Sequence, residues 1–220
     1  MFFILGYPRS GSSFLVQTLK NDKSLSIQHE SNLILLILDT IGKKDFNIDK
    51  LSNEICKRIS KKSYRYTGVR DKNEITNIIV KYSKDELSTF QLIQNLIVDQ
   101  SKKDTYVAFG DKYPNYTLHL EELYQIPNSK FIFLFRDPRD SFLSIKNTEF
   151  GPNTAIFMAF HWRKYVRSYL KHRESSSNFI LMKYEDLINE PKKELENLYH
   201  YLEVEFDPSL YADIHIKKNN

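Results

Sequence analysis

The stretch MFFILGYPRSGSSFLV, Met1–Val16, decides how this chain is read. Met1–Leu5 run apolar without alternation into GYPRSGSS, Gly6–Ser13. A short, continuous apolar run bounded by turn residues is the pattern of a strand buried on both faces. The small and polar residues that follow end the strand, and apolar spacing resumes at Phe14 as the start of a helix. The junction reads G-x-x-x-x-G-S-S, the outline of a phosphate-binding loop. Glycine lets the backbone come close to an anion, successive N–H groups wrap it, and the following helix adds its positive end. Arg9 places a cation inside the loop.

Three more segments have the character of buried parallel strands: Tyr106–Gly110, Lys130–Arg136 and Asn178–Tyr184. Helical patterns lie between them, over Ser12–Asn21, Asn32–Ile41, Ser83–Ser101, Leu118–Tyr124, Ala155–His172 and Pro191–Leu202. Strands alternating with helices imply an α/β fold, a P-loop-like three-layer sandwich around a central parallel sheet. Ligands of such sheets bind at the carboxyl ends of the strands. Gly6–Ser13, Asp111–Tyr116 and Asp137–Ser144 all follow strands onto that edge. The segment from about 30 to 105 reads as a largely helical insertion over the site, within a single domain spanning 1–220. The polar tail Ile214–Asn220 reads as frayed.

The chain has 220 residues, 41% hydrophobic and 27% charged, which suits a globular domain with a real core. No apolar run reaches the roughly 18 residues needed to cross a bilayer. The apolar start is too short for a signal peptide and lacks a basic leader, so Met1 is expected near the start of the fold. Cys56 is the one cysteine, so no internal disulfide can form. Both features point to a cytoplasmic protein with a partly buried, ordinary thiol. A net charge of +4 favours anionic ligands, but no nucleic-acid-binding signature is present. The histidines are scattered, and no metal-ligand cluster is visible.

The second informative stretch is FIFLFRDPRDSFLS, Phe131–Ser144. A buried strand ends in Arg136, Pro138 permits a helix start, and Ser144 follows Arg136 by eight residues, about one turn into that helix. The arginine's planar fork grips two oxygens, so Arg136 and Ser144 can converge on one phosphate. In the first loop, the place that holds lysine in nucleotide triphosphatases holds Ser12. No Walker-B run is present, since Phe131–Phe135 ends in Arg136 rather than aspartate. A P-loop nucleotide kinase or triphosphatase is therefore the weaker alternative, and a non-catalytic nucleotide-binding relative is another.

Together the two loops resemble those of sulfotransferases that use 3′-phosphoadenosine 5′-phosphosulfate (PAPS). In that family a P-[KR]-[ST]-G-[ST]-[ST] loop holds the 5′-phosphosulfate, and Pro8, Arg9, Ser10, Gly11, Ser12 and Ser13 fit it. An arginine and a serine eight apart hold the ribose 3′-phosphate there, which the resemblance transfers to Arg136 and Ser144. GDKYPNY, Gly110–Tyr116, and LMKYEDL, Leu181–Leu187, resemble further segments of the carbohydrate, tyrosylprotein and bacterial branches. The C-terminal R-x-G-x-x-G segment of the cytosolic small-molecule branch is absent. The resemblance implies PAPS as donor, PAP as product and no metal. It also implies an acceptor that is a small molecule, carbohydrate or peptide.

Sulfuryl transfer needs a held donor, neutralisation of charge on the bridging oxygen, and a base for the acceptor proton. Arg9 and Lys112 are the candidates for neutralisation. Glu30, before the apolar segment SNLILLILDTI, is the candidate base; the resemblance places a glutamate there. His29 is its neighbouring rival and His119 a third candidate. Adjacent residues seldom point the same way, so one of Glu30 and His29 is expected to face the donor. The resemblance gives Tyr184 a contact with the nucleotide. Trp162 and Tyr165 read as core. The basic tract Lys57–Lys72 reads chiefly as a solvated face, with a surface for an acidic acceptor as the alternative, where Tyr64 and Tyr66 could stack on a sugar.

Overall fold

The computed structural model describes residues 1–41, 43–61, 66–83, 86–149, 151–152, 154–174 and 178–209. Five strands, β1 (Phe2–Gly6), β2 (Leu25–His29), β3 (Ala108–Lys112), β4 (Lys130–Phe135) and β5 (Phe179–Lys183), form one parallel sheet in the order β2-β3-β1-β4-β5. The α-helices are α1 (Ser12–Leu19), α2 (Leu33–Thr40), α3 (Ile48–Lys61), α4 (Lys72–Tyr82), α5 (Glu86–Ile97), α6 (Leu120–Leu123), α7 (Pro138–Ile145), α8 (Ala155–Arg173), α9 (Tyr184–Asn189) and α10 (Pro191–Leu202).

Strand alternation divides the core into two layers. Phe3, Leu5, Phe131 and Phe133 face one way, onto side chains of α2–α5 and Tyr169 of α8. Phe2, Ile4, Ile132, Leu134 and Met182 face the other way, onto α1, α9 and α10. Burying each such side chain stabilises the fold by about 1.5–3 kcal/mol, which is why the central strands are apolar on both faces. The helix boundaries have local causes. Pro138 occupies the first turn of α7 while Asp137 caps it by accepting from Arg139 N. Thr154 caps α8, and Glu203, with a left-handed backbone, ends α10.

Two strand assignments differ from the sequence reading by more than one residue at an end. β2 falls where no strand is expected, because two polar residues, Ser26 and Gln28, interrupt the apolar run of LSIQH ahead of His29. Both are buried and satisfied by distant partners: Gln28 Nε2 donates to Ile97 O (2.6 Å) and Thr67 Oγ1 (2.8 Å), and Asp99 N donates to Ser26 Oγ (2.8 Å). β3 starts two residues later than the sequence pattern predicts, at Ala108 instead of Tyr106. Its pairing with β2 begins at Leu25↔Ala108, and Val107 is left exposed. Asp111 and Lys112 are therefore the last residues of a strand, not of a loop.

The helical segments also resolve more finely. The expected helix Ser83–Ser101 is α5 followed by a 3₁₀ turn at Gln100–Lys102. The expected Leu118–Tyr124 helix is α6, preceded by a 3₁₀ turn at Pro114–Leu118. Lys62, Tyr64 and Arg65 of the basic tract, and the tail Ile214–Asn220, lie outside the described residues. Tyr66 is core: it is buried, and its hydroxyl donates to Leu96 O at 2.6 Å. No described helix is long and apolar enough to cross a membrane.

Candidate active site

The order in which the chain adds strands reverses at β1, which lies between β3 and β4. The carboxyl ends of these strands open onto a cleft of about 360 Å³, within the usual range for small-molecule sites. It is lined by Pro8, Arg9, Gly11, Ser12, Ser13, Glu30, Lys112, Pro114, Arg136 and Ser144. Glu30, Lys112 and Arg9 are in this set, as are the donor-binding candidates except Ser10 and Tyr184; the rival bases His29 and His119 are not. Three cations face one carboxylate, so the lining favours an anion.

The loop is built from its glycines outward. Gly6 has φ +135°, and a Cβ there would lie 2.4 Å from Leu134 O. Its N–H donates to Thr117 Oγ1 at 3.0 Å, which pins the end of β1. Gly11 has φ +91°, and its Cβ would lie 2.1 Å from the Tyr184 ring. The space that Gly11 leaves is thus taken by Tyr184 rather than by the anion's approach. Ser10 is turned inward, 1% exposed, with its Oγ buried and without a hydrogen-bond partner among the described residues. Ser12 and Ser13 open α1, and no side chain caps that terminus. The N–H groups of the first helical turn, which have no intrahelical partners, remain available to a ligand.

At one end of the cleft Lys112 is the focus. It is 2% exposed, and its Nζ donates to Glu30 Oε1 at 2.6 Å and to Ser13 Oγ at 3.3 Å. His29 Nε2 lies 3.5 Å from the same Nζ and 3.2 Å from Ser13 Oγ. Both His29 and Glu30 therefore reach Lys112, contrary to the expectation that adjacent residues diverge. The cause is local: Glu30 and Asn32 have left-handed backbones, φ 59° and 55°, which break the alternation of β2. Of the two, Glu30 lines the cleft.

The turn that carries Glu30 is held from beneath. Asp111, on the opposite face of β3 from Lys112, is fully buried. It accepts from Ser31 Oγ (2.5 Å), Tyr116 Oη (2.8 Å) and Ser31 N (3.4 Å). Burial pushes its pKa up, opposed by these hydrogen bonds. Burial also raises the Tyr116 hydroxyl, with the nearby Asp111 charge adding to it. From the α3 side, Arg58 Nη1 donates to Asn32 O at 2.8 Å.

At the other end Arg9, also left-handed at φ 70°, turns toward α7, where its Nε donates to Ser144 Oγ at 2.9 Å. Ser144 is near the end of α7, nearly two turns in rather than one. Arg136 Nη1 donates to Arg9 O at 3.2 Å, and its guanidinium lies 4.5 Å above the Tyr184 ring. Arg136 Nε is buried with no partner among the described residues. Asp137 is committed to Arg139, at 2.6 Å, rather than to Arg136. Tyr184 does not line the cleft; it is half-buried between Gly11 and Arg136 and supports both.

His119 is outside the cleft, with Nδ1 3.0 Å from Glu122 Oε1. Tyr165 is buried and donates to Asn115 Oδ1 at 2.5 Å, and Trp162 packs beside it. Sequence reasoning did not single out Pro114 as a lining residue, nor Asp111, Ser31, Tyr116 and Thr117 as its support. Pro114, Asp111 and Tyr116 stand within the GDKYPNY segment; nothing in the sequence pairs Ser31 with Asp111 or Thr117 with Gly6. Among the described residues no group of His, Cys, Asp and Glu could hold a metal ion.

The sulfotransferase family model matches residues 2–208. The chain belongs to the sulfotransferase family. It is a sulfotransferase, and its chemistry is sulfuryl transfer. Its fold is that of the sulfotransferase domain from the Synechococcus PCC 7002 olefin synthase, with a TM-score of 0.65 and 21% identity over 96% of this chain and 75% of that one. The sulfotransferase domain from the curacin biosynthetic pathway superposes with a TM-score of 0.59 and 21% identity, over 96% and 76% of the two chains. Mouse sulfotransferase SULT7A1, solved in complex with PAP, gives a TM-score of 0.50 at 16% identity over 97% and 62%. Comparison with curated proteins by sequence finds no match.

Proposed function

We propose that the chain moves a sulfuryl group from PAPS to a hydroxyl or amine of its acceptor, with Glu30 as the general base. The observation that carries this is the cluster at Lys112, where a buried ammonium joins Glu30 and Ser13 at the mouth of an uncapped helix. The N–H groups of the loop and of the first turn of α1 hold the 5′-phosphosulfate. Arg136 and Ser144 take the 3′-phosphate, and Arg9 of the loop is, with Lys112, a candidate for neutralising the phosphosulfate. The Nε of Arg136, without a partner among the described residues, fits a further oxygen ligand while Tyr184 holds the guanidinium from one face. PAP in the mouse relative supports the same donor here.

In the transfer, the bond between sulfur and the bridging oxygen breaks as the acceptor oxygen bonds to sulfur, in line. Lys112 stabilises the negative charge that builds on the bridging oxygen. Glu30 takes the acceptor proton, and PAP leaves with the bridging oxygen. Until the donor is bound, Lys112 and Glu30 neutralise each other; the phosphosulfate offers Lys112 a second anion and frees Glu30 for the proton. His29 is the second reading for the base, favoured by its place within 3.5 Å of Lys112. We read the chain as a single domain in which α2–α5, a core layer against the sheet, bear on the acceptor side of the cleft through the turn Glu30–Asn32 that leads into α2.

The test is PAP formation from PAPS across a panel of hydroxyl and amine acceptors. Glu30→Gln is expected to keep PAP affinity and lose turnover by about 10²–10⁴-fold. Full turnover in Glu30→Gln with loss in His29→Asn would transfer the role to His29.

A further inference from the structure

We infer that the N-terminal half of α8, with Leu143 of α7, docks the protein on an anionic lipid surface. Ile156, Phe157, Phe160 and Leu143 are 70%, 69%, 67% and 60% exposed. Ile156, Phe157 and Phe160 fall within five residues of one helix, and Leu143 is on α7, a helix in contact with it; such grouping, unlike single scattered side chains, marks an interaction surface. Ile156 and Phe160 share one side of the helix, four residues apart.

The charge pattern selects the occupant. α8 has no Asp or Glu in its nineteen residues, and Arg163, Lys164 and Arg167 are exposed along it. No ion pair of these three is present among the described residues, whereas Lys171 pairs with Glu121. An apolar tip backed by unpaired cations complements an anionic headgroup layer, not a neutral or cationic partner. The spacing fits as well. Arg163 and Lys164 stand roughly 5–6 Å along the axis behind Phe160, at about 1.5 Å per residue. A helix that lies on a membrane with its apolar side buried by about 5–10 Å lets long cationic side chains of the same side reach the headgroups, as Arg163, Lys164 and Arg167 would beside Phe160. Because α8 leads into the parallel strand β5, it begins at the carboxyl edge of the sheet, the edge that carries the cleft. The docked surface is therefore beside the cleft. This inference does not depend on the identity of the sulfuryl donor.

The experiment is co-sedimentation of the full chain with vesicles of phosphatidylcholine, alone or mixed with phosphatidylglycerol. Binding to the mixed vesicles is expected to be at least tenfold stronger, and to weaken as salt rises. Phe157→Ser with Phe160→Ser, and separately Arg163→Glu with Arg167→Glu, are each expected to lower it about tenfold or more. Their melting temperatures and PAP affinities should stay unchanged. Absence of binding to either vesicle, equal binding to both, or binding untouched by both double variants would overturn the inference. So would a stable dimer that the Phe157/Phe160 variant dissociates, since a second copy would then cover the face. The salt and lipid dependence of the unaltered protein tests the inference even if a variant misfolds.

Discussion

Substituting Gly11 by alanine tests how the donor loop is built. Its backbone has φ +91°, and an added Cβ would stand 2.1 Å from Tyr184 Cδ2 and 2.6 Å from Cε2. The left-handed backbone alone costs a residue with a Cβ roughly 1–2 kcal/mol. Displacing the ring also removes the cation–π contact with Arg136, seen at 4.5 Å and worth about 0.5–2 kcal/mol, together with some packing. The total is about 2–4 kcal/mol. For a domain of this size that lowers the melting temperature by about 4–16 °C. Thermal unfolding of Gly11→Ala, Tyr184→Ala and the double variant separates the two contributions. With the ring gone, Gly11→Ala should cost only its backbone share, leaving a coupling of about 1–2 kcal/mol. Equal cost in both backgrounds would refute the claim that Tyr184 is what requires glycine. PAP affinity of Gly11→Ala should fall as well, because Arg136 loses its support.

Other outcomes follow from the same geometry. Arg136→Ala should lower PAP affinity by about 10–100-fold in calorimetry with little change in melting, and Arg136→Lys should not restore it, because lysine lacks the planar fork. Asp111→Asn should weaken the hold on Ser31 and Tyr116, destabilise by about 1–3 kcal/mol and lower kcat while PAP affinity is kept; an unchanged kcat would show that the turn at Glu30 holds without it. Asp137 carries a pH signature: hydrogen bonds from Arg139 hold its carboxyl down at about 2, below the ordinary 3.8. Because the folded value is the lower one, its capping of α7 stabilises the protein above pH ~4 and is lost as pH falls from there toward 2. Melting curves of the protein and of Asp137→Ala should converge across that window.

Much of the architecture was legible because the central strands are buried on both faces. FFIL and KFIFLF read as strands with no tertiary knowledge, and Pro138 and Pro191 mark helix starts through their fixed φ and missing N–H. β2 was not legible, because Ser26 and Gln28 depend on Asp99, Thr67 and Ile97, partners at least 39 residues away. The site shows the same division. The cleft-lining side chains belong to local strand-to-helix junctions, which have spacing that sequence displays. Their support does not: Asp111 reaches Ser31 across 80 residues, and the inward turn of Ser10 comes from the packing of the loop against Gly6.

The central claim is that Arg136 and Ser144 hold the 3′-phosphate of the donor while the loop from Pro8 to Ser13 holds its 5′ end. Calorimetric titration of the chain with PAP and with adenosine 5′-phosphate, which lacks the 3′-phosphate, tests it most directly. The account predicts PAP binding at least tenfold tighter, a preference that disappears in Arg136→Ala. Equal affinity for the two, or binding of ATP with magnesium alone, would contradict it.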